Sequence, residues 1–421
     1  MSLLLPICSY ELPTLNNCDE TSSPLEIQRV EFESEDVHGP ELCPHFFWNT
    51  FLLKNRPCLV KGPARVMKEW PAMRNWVTSS GEINFEYLID AYRDVQVPVT
   101  EITKDISMEY GGMNCTTMSF QNYVQYFLKY RESDYSASMP CLYLKDWHIL
   151  VNHGNDETGT RTPEKPYETL PIFASDWLNE TSSKDDDYRF VYLGPKGSWT
   201  PLHADVYGSF SWSVNIAGQK KWHLYPPGNE RRFQMSNRQS HPQYNSENAG
   251  IEGQDFIEVV QQAGETIFVP SGWFHVVWNV SDVISINHNW FNGANICYIW
   301  HQLQNALAEV KQEIAEWTSL KDCAEGFEIN DQKQCQLILK ANHGMNYSSF
   351  CDLILNIWEK RMDRLKDFDD RPEEEERVLL DLAILRHLIN HHLLNDVDLA
   401  SEYKQKFNFA ISQQLPRGRC C

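Results

Sequence analysis

His203 and Asp205 lie one residue apart in "TPLHADVYGSFSWSVNIAGQKKWHLYPP", Thr200 to Pro227, and both are of types that bind metal ions. The chain holds 14 His and 58 acidic residues in 421. About two His-x-acid matches are expected by chance at that density, so the pair carries weight only with its surroundings. On a strand, side chains at i and i+2 face the same way, so His203 and Asp205 could share one ion. The best third ligand is His275 in "PSGWFHVVWNV", which opens a strand after a Pro-Ser-Gly turn. Two imidazoles and one carboxylate with open positions make the facial triad of non-haem Fe(II) sites. The same set also suits a zinc hydrolase. His288 falls on the face of Ile284, Ile286 and Trp290 and reads as a core histidine or one that supports a ligand. His223 faces away from Trp222 and Leu224.

The residues around the triad separate the two metals. Lys220 shares a face with Trp222 and Leu224 in "KKWHLYPP". A cation on an apolar face is costly unless it meets an anion. That anion is either an internal Asp or Glu or the carboxylate of a ligand, and the alternative is a stem that carries the ammonium out to solvent. Thr200, three residues before His203, can add a hydroxyl. Ser211, Ser213 and Asn215 alternate with Trp212, Val214 and Ile216, and Ser285, Asn287 and Asn289 do the same in the last strand. Polar side chains and one lysine around an iron triad describe a pocket for a small dicarboxylate.

The elements that must hold these residues are short strands. "YRFVYLG", "FSWSVNIAG", "KKWHLYPP", "ETIFVP", "HVVWNV" and "VISINHNW" are rich in Val, Ile, Phe and Trp and are punctuated by Gly, Pro, Asn or Asp. Many short strands with tight turns predict an antiparallel jelly roll. Earlier, "ELCPHFFWNTFLLK" (Glu41 to Lys54) predicts a helix and "RPCLVKG" a strand ended by Gly62. The polar runs Asn152 to Pro166 and Asn229 to Gly253 read as loops. Ile296, Trp300, Leu303, Leu307, Val310, Ile314 and Trp317 alternate spacings of four and three, the pattern of an amphipathic helix with a coiled-coil-like seam. That seam serves either packing inside the chain or a homodimer. Phe350, Leu353 and Ile357, then Leu379, Leu382, Leu385 and Leu388, predict two further helices, with "RPEEEE" (Arg371 to Glu376) at a helix start.

Composition bounds the partners. Hydrophobic content of 42% supports a packed core. A net charge of −21 argues against direct nucleic-acid binding and is compatible with a basic polypeptide partner. Twelve Cys without any Cys-x-x-Cys read as reduced thiols of a cytosolic or nuclear compartment. The start, "MSLLLPICSYELP", lacks the basic flank of a signal peptide, and no apolar run reaches the ~18 residues of a membrane span.

Four linked motifs resemble the JmjC family of Fe(II)- and 2-oxoglutarate-dependent oxygenases. They are His203-Ala204-Asp205, Gly218-Gln219-Lys220-Lys221-Trp222, Pro270-Ser271-Gly272-Trp273-Phe274-His275 and Ser285-Ile286-Asn287-His288-Asn289. "CLYLKDWH", "SDWLNE", "DYRFVY", "SFSWSVN", "FVPSGW" and "SINHNW" extend the likeness over about residues 30 to 320. The resemblance implies an α+β fold with a double-stranded β-helix (jelly-roll, cupin) core. It also implies a loose arm over 1–30, an oxygenase domain over 31–294 with its catalytic core at about 171–294, and a helical module over 295–421. By the same resemblance His203, Asp205 and His275 would bind Fe(II), and O2 and 2-oxoglutarate would be the co-substrates. Lys220 would pair with the far carboxylate, Thr200 and Tyr192 would donate to it, and Asn287 and Ser213 would line the pocket. The implied activity is protein hydroxylation, with a lysyl side chain of the eukaryotic translation release factor as target. The alternatives are N-methyl-lysine demethylation, a zinc cupin, and a non-enzymatic scaffold. A lysine-bearing substrate would want acidic or aromatic residues at the mouth, for which Asp146, Trp147 and Asp176 are the candidates.

Overall fold

The computed structural model describes residues 27–31, 43–62, 65–102, 114–150, 164–181, 187–228, 256–320, 332–366 and 372–413. The expected N-terminal arm up to residue 26, both polar loops over 151–163 and 229–255, Arg371 and the side chain of Trp317 lie outside them. By its contacts the chain forms two units, one made of Asn17–Asp205 with Phe210–Trp290 and one that includes Val206–Ser209 and Phe291–Cys421.

Two sheets build the first unit. Its strands are β1 (Gln28–Glu31), β2 (Cys58–Lys61), β3 (Gln96–Ile102), β4 (Cys115–Ser119), β5 (Cys141–Trp147), β6 (Arg189–Gly194), β7 (Trp199–His203), β8 (Phe210–Ala217), β9 (Lys220–Tyr225), β10 (Ile257–Gln261), β11 (Thr266–Val269), β12 (Phe274–Asn279) and β13 (Val283–Trp290). Among the described residues nine of them form one sheet in the order β1-β2-β11-β8-β13-β6-β5-β3-β4, and four form the other as β10-β9-β12-β7. This is the jelly roll expected from the alternating short runs. Six strands, β1, β3, β4, β5, β7 and β10, were not among the runs singled out. The predicted helix at Glu41 to Lys54 is shorter, a turn over Pro44–Phe47 that passes into a π-turn over Trp48–Leu52.

Alternation decides what each face does. In β8 and β13 the even positions Trp212, Val214, Ile286, His288 and Trp290 form the outer face of the large sheet. There Phe173 stacks on Trp212 at 5.3 Å and Phe47 meets Phe268 at 5.4 Å. The large sheet is therefore buried on both faces, which is why every residue of β8 is buried. His288 lies on this outer face, donating or accepting with Tyr167 at 2.5 Å and lying 4.2 Å from the Trp212 ring. The inner faces of the two sheets meet in a core of Leu59, Trp222, Leu224, Ile257, Val259, Ile267, Val269, Trp273 and Val277. Polar residues occupy the rest of that interior.

The second unit is helical. In Ile296–Leu320 the seam residues Ile296, Trp300, Leu303, Leu307 and Val310 are buried within the chain. Trp300 packs on Tyr347 (4.5 Å) and Phe350 (5.1 Å) of the helix Tyr347–Arg364. That helix is tied to Pro372–Leu388 by a buried ion pair, Arg361 Nε to Asp381 Oδ2 at 2.7 Å. No described helix is long and apolar enough to cross a membrane.

Candidate active site

Strand register gathers the site on the inner faces. His275 lies opposite His203 and Leu224, and Val277 lies opposite Thr200 and Trp222. Two steps along β12 thus match three along β7, so β7 carries a bulge between Thr200 and His203. The extra residue brings Thr200 round to the face of His203 and His275, although its spacing of three would otherwise turn it away. Asn279 lies opposite Lys220, which puts Lys220 on that same inner face. In the large sheet Ser211, Ser213 and Asn215 pair with Asn289, Asn287 and Ser285, and Ser285 and Asn287 pair in turn with Tyr192 and Phe190. Partners directly opposite share a face, so the polar stripes read from sequence form one continuous inner lining.

One ligand atom from each of His203, Asp205 and His275 lies within 4.8 Å of the others, and they are the group among the described residues that could hold a metal ion. The His203 and His275 rings are 4.2 Å apart. Each Nδ1 faces a carbonyl two residues earlier, Pro201 O at 2.8 Å and Trp273 O at 3.1 Å. A carbonyl only accepts, so both rings carry the proton on Nδ1 and present the Nε2 lone pair as ligand. Burial first, then the facing His275 and more weakly Lys145, push His203 down to about 3 against the opposing pull of Asp205. Its imidazole is therefore neutral, the form that ligates. Asp205 lies beyond the end of β7, so strand geometry does not orient it as its spacing suggested. Two hydrogen bonds do: Ser211 Oγ donates to Oδ2 at 2.6 Å and Asn289 Nδ2 donates to Oδ1 at 2.8 Å.

Lys220 is 2% exposed. Its Nζ donates to Ser285 Oγ at 2.7 Å and lies 5.5 Å from the Tyr192 ring and 5.9 Å from the Trp222 ring. Ser285 passes the polarity on to Asn287 Oδ1, which also accepts from Ser213 Oγ at 3.2 Å. Among the described residues no carboxylate pairs with Lys220, and burial pushes its ammonium from 10.5 down to about 7. Among the described residues neither the internal acid nor the solvent-reaching stem allowed by the sequence is found, so the lysine has the character of an anion receptor. Gly218 sets its position. That residue has φ +81°, and a Cβ there would stand 1.9 Å from Asp282 O, so the turn that starts β9 requires glycine.

The structure therefore brings Thr200, Ser213, Asn287 and Lys220 into one lining with the triad. Tyr192 is there too, but its hydroxyl donates to Asp146 Oδ1 at 2.7 Å and its ring faces Lys220. The sequence reading left Ser211, Ser285 and Asn289 without a role beyond a polar face. Their alternation was visible, but the partner across the sheet was not. It also passed over Lys145, buried on β5 at 5% exposure and close enough to His203 to act on it.

The pattern of known proteins fits this geometry. Residues 44–295 match the model of the cupin-like domain. The chain is 40% identical over 338 residues to "2-oxoglutarate and iron-dependent oxygenase JMJD4" of Gallus gallus, covering 76% of this chain and 73% of that protein. It is 42% identical over 335 residues to the protein of the same name from Mus musculus, covering 75% and 72%. "Arginine-specific demethylase JMJ20" of Arabidopsis thaliana is 33% identical over 346 residues, covering 75% and 68%.

Proposed function

This chain belongs to the cupin-like JmjC oxygenase family, and on that premise we propose that it is an iron(II)- and 2-oxoglutarate-dependent hydroxylase of a protein side chain. The observation that carries the reading is Lys220, a buried lysine without a described carboxylate partner, in one polar lining with a His-Asp-His metal group. The donor set fits a hard-to-borderline divalent ion with open positions, and Lys220 fits the far end of a dicarboxylate.

Bound iron and 2-oxoglutarate would supply the oxidation of a C–H bond with O2. The chain supplies geometry and charge. His203 and His275 would hold the ion through their Nε2 atoms, and the Pro201 and Trp273 carbonyls keep those rings from turning. Ser211 and Asn289 hold the Asp205 carboxylate in one rotamer, so its negative charge stays at the metal position. Lys220, held by Ser285 and flanked by the Trp222 and Tyr192 rings, would take the distal carboxylate by a charge-assisted contact. Gln261 locks Trp222 in turn, accepting from its indole Nε1 at 2.9 Å.

The target in this reading is a lysyl side chain, oxidised at C4, of the eukaryotic translation termination release factor in the cytoplasm. Support comes from the likeness to JmjC protein hydroxylases, from Asp205 in a slot where many JmjC demethylases have Glu, and from a net charge of −21 that suits a basic target. The Arabidopsis relative named as an arginine-specific demethylase favours a second reading, N-methyl removal. Incubating purified protein with Fe(II), 2-oxoglutarate and the release factor, then measuring succinate and product mass, separates them. Hydroxylation adds one oxygen atom, whereas demethylation removes a methylene and releases formaldehyde. Absence of succinate above the boiled control sinks both.

A further inference from the structure

Trp147, Asp176 and Asp146, the sequence's candidates for the pocket mouth, part company in the structure. Trp147 is 3% exposed and packed against Tyr92 (5.1 Å) and Phe120 (5.3 Å). Asp176 is spent on Asn179, accepting from its backbone N–H at 2.9 Å and its side-chain amide at 2.7 Å. Asp146 is different. Leu144 lies opposite Leu193 and Trp147 opposite Val191, so Lys145 and Asp146 both oppose Tyr192 and β5 is bulged there. Asp146 has φ +59°, left-handed backbone in a non-glycine residue. Bulges re-aim side chains, and strained backbone of this kind concentrates at functional sites.

The bulge turns Asp146 to the Tyr192 hydroxyl. Tyr192 shares the inner face with Ser285, the residue that takes Lys220, and its hydroxyl holds Asp146 Oδ1. The carboxylate is thus fixed and yet 43% exposed, and its Oδ2 makes only a long ion pair with Lys145 Nζ at 4.0 Å, beyond hydrogen-bond reach. Two residues along β6, Phe190 stacks with Tyr192 at 6.3 Å and 28°. Phe190 lies opposite Asn287, and both rings are partly exposed. A rigid aromatic pair beside a held, accessible carboxylate suits a cation on an alkyl stem: the rings take the methylenes and part of the charge, and Oδ2 takes the N–H.

We propose that Asp146, with the Phe190 and Tyr192 rings, is the subsite that takes the ε-ammonium and stem of the substrate lysine. This rests on the reading that the enzyme oxidises a lysyl side chain of a protein. Asp146 is then a specificity-determining residue, and the acidic rim selects a charged lysine over an uncharged side chain of the same length.

The test uses tiled release-factor peptides with one lysine each, their twins with norleucine at that position, and succinate release as readout. Wild-type protein is expected to favour the lysine peptide in kcat/KM. Asp146→Asn keeps an acceptor for Tyr192 and removes the charge. It should raise KM for the lysine peptide roughly 30-fold, the cost of unpairing a charge at an interface, and bring the lysine-to-norleucine ratio close to one. KM for 2-oxoglutarate and the melting temperature should not move, and Asp146→Glu should restore part of the discrimination. A merely structural Asp146 would instead shift melting and leave the ratio alone. A wild-type enzyme indifferent to lysine overturns both the lysyl reading and the subsite. A wild-type enzyme that requires lysine, with discrimination retained in Asp146→Asn, overturns the subsite alone.

Discussion

Replacing Lys220 with methionine keeps an unbranched apolar stem, one atom shorter, and removes the charge together with the N–H donor to Ser285. In the ligand-free fold that charge is a burden. Burial takes the ammonium from 10.5 down to about 7, while the unfolded chain holds it at its ordinary value. At ~1.4 kcal/mol per tenfold change in proton affinity, the gap costs the fold about 4 kcal/mol at pH 7.5. Loss of the bond to Ser285 returns about 1 kcal/mol of that. Lys220→Met should therefore be more stable than wild type by on the order of 3 kcal/mol, a rise of roughly 6–12 °C in melting temperature for a unit of this size. Between pH 7 and 10.5 the unfolded wild-type chain holds a proton that the folded chain has released. Wild-type stability should thus climb as pH rises through that window, and the variant should lack the climb. With Mn(II) in place of Fe(II) and saturating 2-oxoglutarate the order should reverse. A bound dicarboxylate gives Lys220 its partner, and removing one member of such a buried pair costs about 3–5 kcal/mol, or roughly 10²- to 4 × 10³-fold in affinity. Differential scanning fluorimetry at several pH values and calorimetric titration of 2-oxoglutarate read both halves. A ligand-free variant that melts below wild type, or one that binds 2-oxoglutarate within about threefold of wild type, refutes the assignment of Lys220 as an anion receptor.

Other perturbations probe the supports. Ser211→Ala with Asn289→Ala should free the Asp205 carboxylate and lower Mn(II) affinity about 10- to 100-fold by calorimetry, whereas unchanged affinity would mean the triad holds its own geometry. Gly218→Ala forces a Cβ onto Asp282 O at a positive φ, so a loss above ~2 kcal/mol is expected by urea unfolding. Tyr167→Phe takes the hydroxyl from buried His288 and should cost about 1–3 kcal/mol in the same assay while leaving Mn(II) affinity intact. Arg361→Ala leaves Asp381 charged and buried. It should destabilise the helical unit by about 3–5 kcal/mol, visible as an early melting step.

Much of the jelly roll was legible because strand signals are local. β-branched and aromatic runs broken by Gly, Pro and Asn map onto β6, β8, β9, β11, β12 and β13. β7 escaped because Pro201 and a bulge interrupt its alternation. β10 escaped because it follows directly on a long polar run. The same bulge explains the one place where spacing misleads, since Thr200 by count belongs to the other face from His203. Asp205 was placed by strand period, yet its orientation comes from Ser211 and Asn289, and no local pattern encodes a hydrogen bond spanning 84 residues.

By itself the sequence determined the donor types, the inward polar stripes of β8 and β13, and the single lysine on the apolar face of β9, because these follow from residue chemistry and a period of two. Only the tertiary structure decided that the lysine has no described internal acid to meet, that each histidine presents Nε2, and that Asp146, unlike Trp147, keeps an exposed side chain. Those outcomes depend on which strand lies beside which and on where a ladder slips by one residue. Such pairings are settled by the packing of the whole sheet and leave no mark within any one strand.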